Sequence, residues 1–401
     1  MAQKRILIIS QHFPPEKSGN ASRVYDLSKN MVNFGAHVIV YSPFPSFPYG
    51  TFQRINKLRS NRIIDGIYHF KIWNWQPDFE DPSFLSRMAY YLVFPLLATV
   101  RALINSKHYD VIITTAPPVF TGIPGYFIKK ITGKKWLFDV RDLWLDASVA
   151  LEFIKKDSFF YKLTRYYEKL CYDTCDHILV TTNKVKEIIN KTYNIPNEKM
   201  HVIPNGVDSS AYRPLNKKKK NQLIYTGNIG HAQDLEKVIL AVKRINEEQD
   251  STLDFYLVGD GDIKHQLELF VKRNNIGNHV FFTGIVEREE IPGLINESMI
   301  GVAPLKDLEI LEYAIPTKSY EYMSCEVPFV ATGKGEIEKI AEESGSGLIA
   351  KNDVDSIYEK ISYLIHNPDV RQQMGEKGRE FVKKYNDRKM IAQHLLDIIN
   401  S

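Results

Sequence analysis

Three cysteines in 401 residues (Cys171, Cys175 and Cys325) are too few for a disulfide framework, so a reducing compartment is the simpler setting. Cys171 and Cys175 are spaced as neighbours on a helix face, but no His or Cys pair completes a metal set, which leaves ordinary core or surface cysteines. Charge of one sign is also missing. Lys and Arg number 52 against 48 Asp and Glu, a net +4, and the basic residues are dispersed, so no nucleic-acid partner is expected. No run reaches the roughly 20 apolar residues needed to span a bilayer. The nearest, Met88 to Val100 (MAYYLVFPLLATV), lies between Arg87 and Arg101 and contains Pro95; its length is that of a buried or interfacial helix. Met1 to Ser10 has no apolar h-region and no small-residue cleavage pattern, so no signal peptide is expected and the location is cytoplasmic. No strand leads into G-x-G-x-x-G with an acidic residue about 20 positions on, which disfavours a nicotinamide-dependent oxidoreductase.

What is present is a globular composition, 44% apolar and 25% charged, in a chain long enough for two domains. Short β-branched runs alternate with longer amphipathic stretches. RILIIS (Arg5 to Ser10) precedes a helical segment from Ala21 to Phe34, closed by Gly35. The runs HVIVYS, VIITTA, WLFDV and HILVTT follow, up to Thr182. Near-continuous apolar strands separated by helices predict a parallel sheet covered on both faces. After HVIPNGVD (His201 to Asp208) and the lysine run Lys217 to Lys220, read as a solvated linker, the alternation restarts: LIYTGN, FYLVGDG, VFFTG, IGVAPL and PFVATG, from Leu223 to Gly333. The architecture predicted is α/β, with two Rossmann-like, doubly wound domains facing a central cleft lined by the carboxyl ends of their strands. Domain limits are expected at residues 1–206 and 207–383, with the last helical segment (384–401) packing back on the first half.

Three segments carry chemistry. Gly19 and Asn20, in HFPPEKSGNASRV, sit just before a helix whose first amides lack partners, an anion site or simply a turn. Arg23 lies one turn in. Arg141 and Asp142, in FDVRDLW, end a strand at the edge where catalytic groups gather, or form a salt bridge holding a loop. In EYAIPTKSYEYM, Lys318 falls in the first turn of a helix started at Pro316. A lysine is out of place beside the positive end of a helix dipole unless a diphosphate shares that end. Glu321, one turn on, suits vicinal ribose hydroxyls. Gly227 and Gly230, in TGNIGHAQDL, would let backbone approach a phosphate, whereas Gly259 and Gly261 read as a tight strand-to-helix turn.

Taken in order, PPEKSGNASRVYDLSKNM, DVRDLW, VIPNGVD, TGNIGHAQDLEKVI, VGDGD, TGIVEREEIPGLI and IPTKSYEYM resemble the retaining glycosyltransferases of family 4, which have the two-domain GT-B fold. The bacterial surface-polysaccharide branch similar to L-fucosamine transferases looks nearest. The resemblance implies that Glu321 holds the donor ribose and Lys318 the diphosphate. It also implies that Val286 lines a uracil pocket and that Gly19 and Asn20 close over the diphosphate. Many relatives carry two glutamates eight positions apart; here the partner of Glu321 at that spacing is Tyr313, with Glu312 one place off. An Arg and a Lys common after the first strand of the second domain are Asn228 and Gln233, leaving His231 and Lys318 as the cations. A histidine common at DVRDLW is Arg141.

No Asp-x-Asp pair is placed as a metal clamp, so catalysis without metal or cofactor is expected, with lysine and helix amides stabilising the departing diphosphate. The resemblance implies retention, a UDP-sugar donor (an N-acetylated hexosamine type) and a lipid-linked saccharide acceptor. Asp142 or Glu16 would orient or deprotonate the acceptor hydroxyl. The aromatic-rich stretch Trp73 to Ile104, with Lys129, Lys130, Lys134 and Lys135 nearby, reads either as a sheet-packed helix or as a peripheral contact at the inner face of the cytoplasmic membrane. Competing readings are a nucleotide-sugar epimerase or phosphorylase of similar build and a decayed sugar-nucleotide-binding protein.

Overall fold

A computed structural model of the chain describes residues 4–16, 18–46, 52–55, 57–77, 83–150, 154–248 and 252–401. The chain divides into two compact units, Met1–Asn205 with Arg388–Ser401, and Gly206–Asp387. The first carries the strands β1 (Arg5–Ser10), β2 (His37–Pro43), β3 (Arg59–Ile64), β4 (Ile67–Ile72), β5 (Val111–Ala116), β6 (Lys135–Val140), β7 (His177–Val180) and β8 (Met200–Val202). They form one sheet in the order β3-β4-β2-β1-β5-β6-β7-β8. The sheet is parallel except at its edge, where β3 runs antiparallel to β4. Sequence periodicity passes over β3 because RSNRII is exposed and polar. What makes this hairpin is the two-residue turn Asp65-Gly66, with φ of 47° and 77°, a backbone that suits the twist of the flanking strands.

Right-handed crossovers assign the helices of this unit to two faces. On one, Val24, Leu27 and Met31 of the helix Gly19–Asn33 share a core with Ile391, Leu395 and Ile399 of the C-terminal helix Arg388–Asn400. Arg388 ties that last helix to the Asp26 carboxylate. Lys135 and Lys4 donate to the carbonyls of Ile398 and Ile399 at its far end, where the helix dipole favours cations. On the other face the helix Phe84–Ile104 packs on Gly122–Thr132, which in turn meets Phe159–Thr174. Phe84–Ile104 spans 21 residues, well beyond the apolar run recognised in the sequence. Leu85–Ile104 is long and apolar enough to cross a membrane, which corrects the expectation that no segment is. Pro95 does not end this helix. The side chain of Asn74 bridges the ladder there, donating to Tyr90 O at 2.9 Å and accepting from Phe94 N at 3.1 Å, so these two groups of the turn before the proline stay bonded.

The second unit carries β9 (Gln222–Thr226), β10 (Asp254–Val258), β11 (Val280–Gly284), β12 (Ile300–Ala303), β13 (Phe329–Thr332) and β14 (Gly347–Ala350). Their order is β11-β10-β9-β12-β13-β14, and every pair is parallel. This is the doubly wound order whose direction reverses between its first and fourth strands, here β9 and β12. The lysine run 217–220 is exposed, as a solvated segment should be, but it is tied to the second unit: Lys217 and Lys220 both pair with Glu297, and Lys219 donates to Ser298 O at 3.0 Å.

At the reversal, β9 and β12 pair only at Leu223–Ile300 and Ile224–Gly301. The Tyr322 hydroxyl takes over where the ladder stops. It accepts from Thr226 N at 3.1 Å, and its proton is shared between Ile224 O at 3.2 Å and Val302 O at 3.3 Å. A Cβ at Gly301 would lie 2.3 Å from the Tyr322 ring, so glycine is what lets the ring lie against the sheet. Tyr322→Phe leaves these buried groups without their partner and should lower the unfolding free energy of the protein by about 1–3 kcal/mol. Denaturant titration checks this, and a change below about 0.5 kcal/mol, the level of a neutral surface substitution, would contradict it.

Candidate functional site

In the second unit the reversal between β9 and β12 is where a doubly wound sheet opens a crevice at its carboxyl edge. Three segments supply that edge: the loop after β9, the loop after β10, and the helix Thr317–Ser324. Gly227 and Gly259 have φ of 123° and 140°, and a Cβ on Gly259 would stand 2.0 Å from Gly227 O. The two loops therefore approach at a distance only glycines permit. Gly259 is thus part of the site's framework, more than the plain turn expected.

Lys318 lies in the first turn of Thr317–Ser324, behind Pro316 at the N-cap. Its side chain is 8% exposed and its Nζ stands 4.4 Å from the centre of the Tyr225 ring. Burial pushes its pKa down to about 8, against the pull of Glu321. A Cβ on Gly227 would be 3.6 Å from Lys318 Cε and Nζ. Glu321, one turn on, accepts from Thr226 Oγ1 at 3.4 Å. A buried cation, a carboxylate and a helix N-terminus thus meet at one sheet edge. That set is suited to a polyanion beside hydroxyl groups.

The loop after β9 departs from expectation in one respect. Its amides at Gly227, Ile229 and Gly230 are already bonded, to Val258 O, Asp260 O and Gln233 Oε1 at 2.9, 2.9 and 3.1 Å. Gly230 therefore shapes the loop and does not offer its amide to a ligand. Asn228 and His231 are exposed beside it. Val286 is half-buried after β11 and packs on the core through which Tyr320 and Tyr322 anchor their helix. Tyr313 is buried, so the residue standing where a second glutamate is common faces the interior. Thr226, Tyr225 and Tyr322 are not singled out by the sequence; the switch-point position of Thr226 and Tyr225, at the end of the first strand, is the available signal. Gln233, which stands where relatives carry a cation, holds the Gly230 amide instead.

In the first unit, Gly19 and Asn20 form the start of the helix Gly19–Asn33, capped by Ser18, whose hydroxyl accepts from Ala21 N. The helix begins two residues earlier than its apolar spacing suggests. Arg23 does not add charge there. It is 1% exposed and donates to Ile203 O at 2.9 Å and Asp139 at 3.4 Å. Glu16 is buried as well, accepting from Ser46 N at 2.8 Å and pairing with His12 Nδ1 at 2.7 Å. It joins the loops after β1 and β2, and it orients His12, which the sequence reading passed over. Arg141 and Asp142 follow β6 but form no ion pair with each other. Arg141 is buried, and its Nη2 reaches Asn205 Oδ1 at 3.3 Å; burial and then the charge of Arg23 lower its pKa. Nε and Nη1 of Arg141 have no hydrogen-bond partner among the described residues. Asp142 is exposed to water, yet the protein crowding around it raises its carboxyl, opposed by Arg141.

Residues 210–381 match the family model described as glycosyl transferases group 1, and residues 18–211 match that of glycosyltransferase family 4. Over 228 residues the chain is 28% identical to an uncharacterized glycosyltransferase of Methanocaldococcus jannaschii, a match covering 57% of this chain and 60% of that one. The matched stretch is thus less than two thirds of that relative. Among solved structures, the chain is similar to Anabaena HepE in complex with UDP and glucose, with TM-score 0.71, 16% identity and all of both chains covered. It is also similar to WaaG, a glycosyltransferase involved in lipopolysaccharide biosynthesis, with TM-score 0.68, 14% identity, and 98% and 99% of the two chains covered. At such identities these neighbours establish a fold, the GT-B fold.

A cation buried without a full counter-charge costs stability, and the cost has a pH signature. Lys318 falls from its ordinary 10.5 to about 8, so the unfolded chain binds more protons between those values and stability rises with pH across that window. Lys318→Met should therefore be more stable than the parent at pH 7, by up to about 3 kcal/mol, with the gain fading as pH climbs from about 8 to about 10.5. Thermal unfolding across that range checks this; a less stable variant at pH 7 would contradict it.

Proposed function

Because the chain belongs to the family 4 glycosyltransferases, we propose that it moves a sugar, of the N-acetylated hexosamine type, from a UDP-sugar to a hydroxyl of a lipid-linked saccharide during surface-polysaccharide or glycan assembly. The anomeric configuration is retained and no metal is needed. The observation that carries the donor half of this reading is the buried Lys318 in the first turn of its helix, one turn from Glu321, at the β9–β12 reversal. A desolvated ammonium is costly in the empty protein and is compensated by a diphosphate. It acts most strongly as negative charge gathers on the departing UDP. Glu321 receives the ribose hydroxyls, and Val286 lines the base. The exposed Asn228 and His231 stand beside the phosphates. HepE, similar in fold, is recorded with UDP.

In the first unit, Gly19 and Asn20 offer first-turn helix amides to an anion. Between the two carboxylates considered for the acceptor, the geometry favours Asp142. Both oxygens of Glu16 are engaged, by His12 and Ser46, whereas Asp142 is exposed. Retention follows when a phosphate oxygen of the donor takes the acceptor proton on the leaving-group face, with Asp142 orienting the hydroxyl. The lipid-linked acceptor places the enzyme at the cytoplasmic membrane surface.

The test is a thermal-shift screen of UDP, GDP, ADP and NAD with EDTA present, followed by turnover of UDP-sugars. UDP alone should stabilise the protein. Lys318→Ala and Glu321→Ala should each abolish that shift, and Asp142→Asn should keep it while lowering transfer by about 10²-fold or more. Stabilisation by NAD alone, or an intact UDP shift in both donor-side variants, would overturn the assignment. Binding without turnover of any UDP-sugar would instead favour a decayed site.

A further inference from the structure

The helix Phe84–Ile104 is two-sided. Tyr90, Phe94, Ala98 and Ala102 are fully buried against the sheet. Leu96, Val100 and Ile104, spaced by four and therefore in one stripe, are 52%, 57% and 78% exposed. The neighbouring helix Gly122–Thr132 repeats this with Phe127 and Ile131, and the helix Phe159–Thr174 with Phe159, Leu163 and Tyr166, all exposed. These helices pack side by side on one face of the sheet. Single exposed apolar residues are ordinary, but exposed apolar stripes repeated on three neighbouring helices are not, and they call for a partner.

Charge selects that partner. The helices Phe84–Ile104 and Gly122–Thr132 contain Arg87, Arg101, Lys129 and Lys130 and no acidic residue. Arg101 turns inward onto Phe70 at 4.9 Å, and Lys129 is held by Asp176 at 2.6 Å. Lys130, Lys155, Lys156 and Lys162 remain exposed around the stripes. Of the acids nearby among the described residues, Asp146 and Glu168 are tied to Arg165 and Asp173 to Lys169, and Asp157 is exposed. Aliphatic and aromatic side chains fringed by lysines suit an anionic lipid surface, where apolar burial and attraction to headgroups add.

We propose that this three-helix face of the first unit docks on an anionic bilayer, with Phe84–Ile104 lying in the membrane plane. Crossing is excluded by its inner side, since a spanning helix would strip Tyr90, Phe94 and Ala98 from the core and break the Asn74 bridge at Pro95. The proposal deepens the membrane placement under the proposed function and rests on that placement, not on the donor.

The test is co-sedimentation of the full chain with vesicles of phosphatidylglycerol and phosphatidylethanolamine, against vesicles of phosphatidylcholine alone. The parent should favour the anionic vesicles by about tenfold or more and lose binding as salt rises. Leu96→Glu with Ile104→Glu, and separately Lys130→Glu with Lys156→Glu, should each weaken binding by about tenfold or more, since each removed contact is worth about that factor. Unchanged thermal midpoints show that the variants are folded. Failure of the parent to bind anionic vesicles, or equal binding by folded variants, overturns the proposal. So does concentration-dependent self-association that the same substitutions abolish, which would assign the face to a second copy. Should vesicle binding hold while UDP fails to bind, the donor assignment falls and this one stands.

Discussion

The ladder between β9 and β12 stops short of the strand ends, and much of the second unit follows from how the gap between them is filled. Strand pairing there lasts for two residue pairs. The Tyr322 hydroxyl then satisfies groups on both strands, with Gly301 beneath the ring. Because Tyr322 is nailed to the sheet, the helix that carries it is fixed in position and rotation. Lys318 and Glu321 share that helix, so their places beside Gly227 and Thr226 are consequences of the same anchor. A buried hydroxyl network of this kind is stabilising only when complete, which makes the framework rigid where the chemistry needs it.

The cost appears at Lys318. A protein optimised for stability alone would not bury an ammonium at the positive end of a helix, over a tyrosine ring. Local rules broken without local compensation mark functional sites, and an anionic ligand is the chemistry that would compensate this one. Arg141 in the first unit is a parallel case, a buried guanidinium with two nitrogens unbonded among the described residues. Glu16 is the opposite case. Its oxygens are occupied, and its task is to hold His12 and the loop after β2.

The strands were legible where both faces are buried, since RILIIS, VIITTA and LIYTGN read as near-continuous apolar runs and form β1, β5 and β9. The β3–β4 hairpin was not, because β3 is polar and exposed; its one clear signal was Asp65-Gly66, a turn pair rather than a period. The oddity of Lys318 and Glu321 could be seen in sequence because it violates dipole chemistry. Thr226 and Tyr322 could not, since each matters through a partner 95 or 98 positions away. Arg23 looked available for a ligand, and the ties of Lys217, Lys219 and Lys220 were hidden, for the same reason: the groups that hold them, Ile203 O, Asp139, Glu297 and Ser298 O, are remote in sequence.

The central claim is that the donor nucleotide is held at the β9–β12 reversal of the second unit. Hydrogen–deuterium exchange of the full chain with and without UDP tests it directly, because exchange reports local opening segment by segment. The account predicts slowed exchange in residues 226–233 and 317–324, and little change along β13 and β14. Protection confined to the first unit, or spread evenly over the chain, would contradict it.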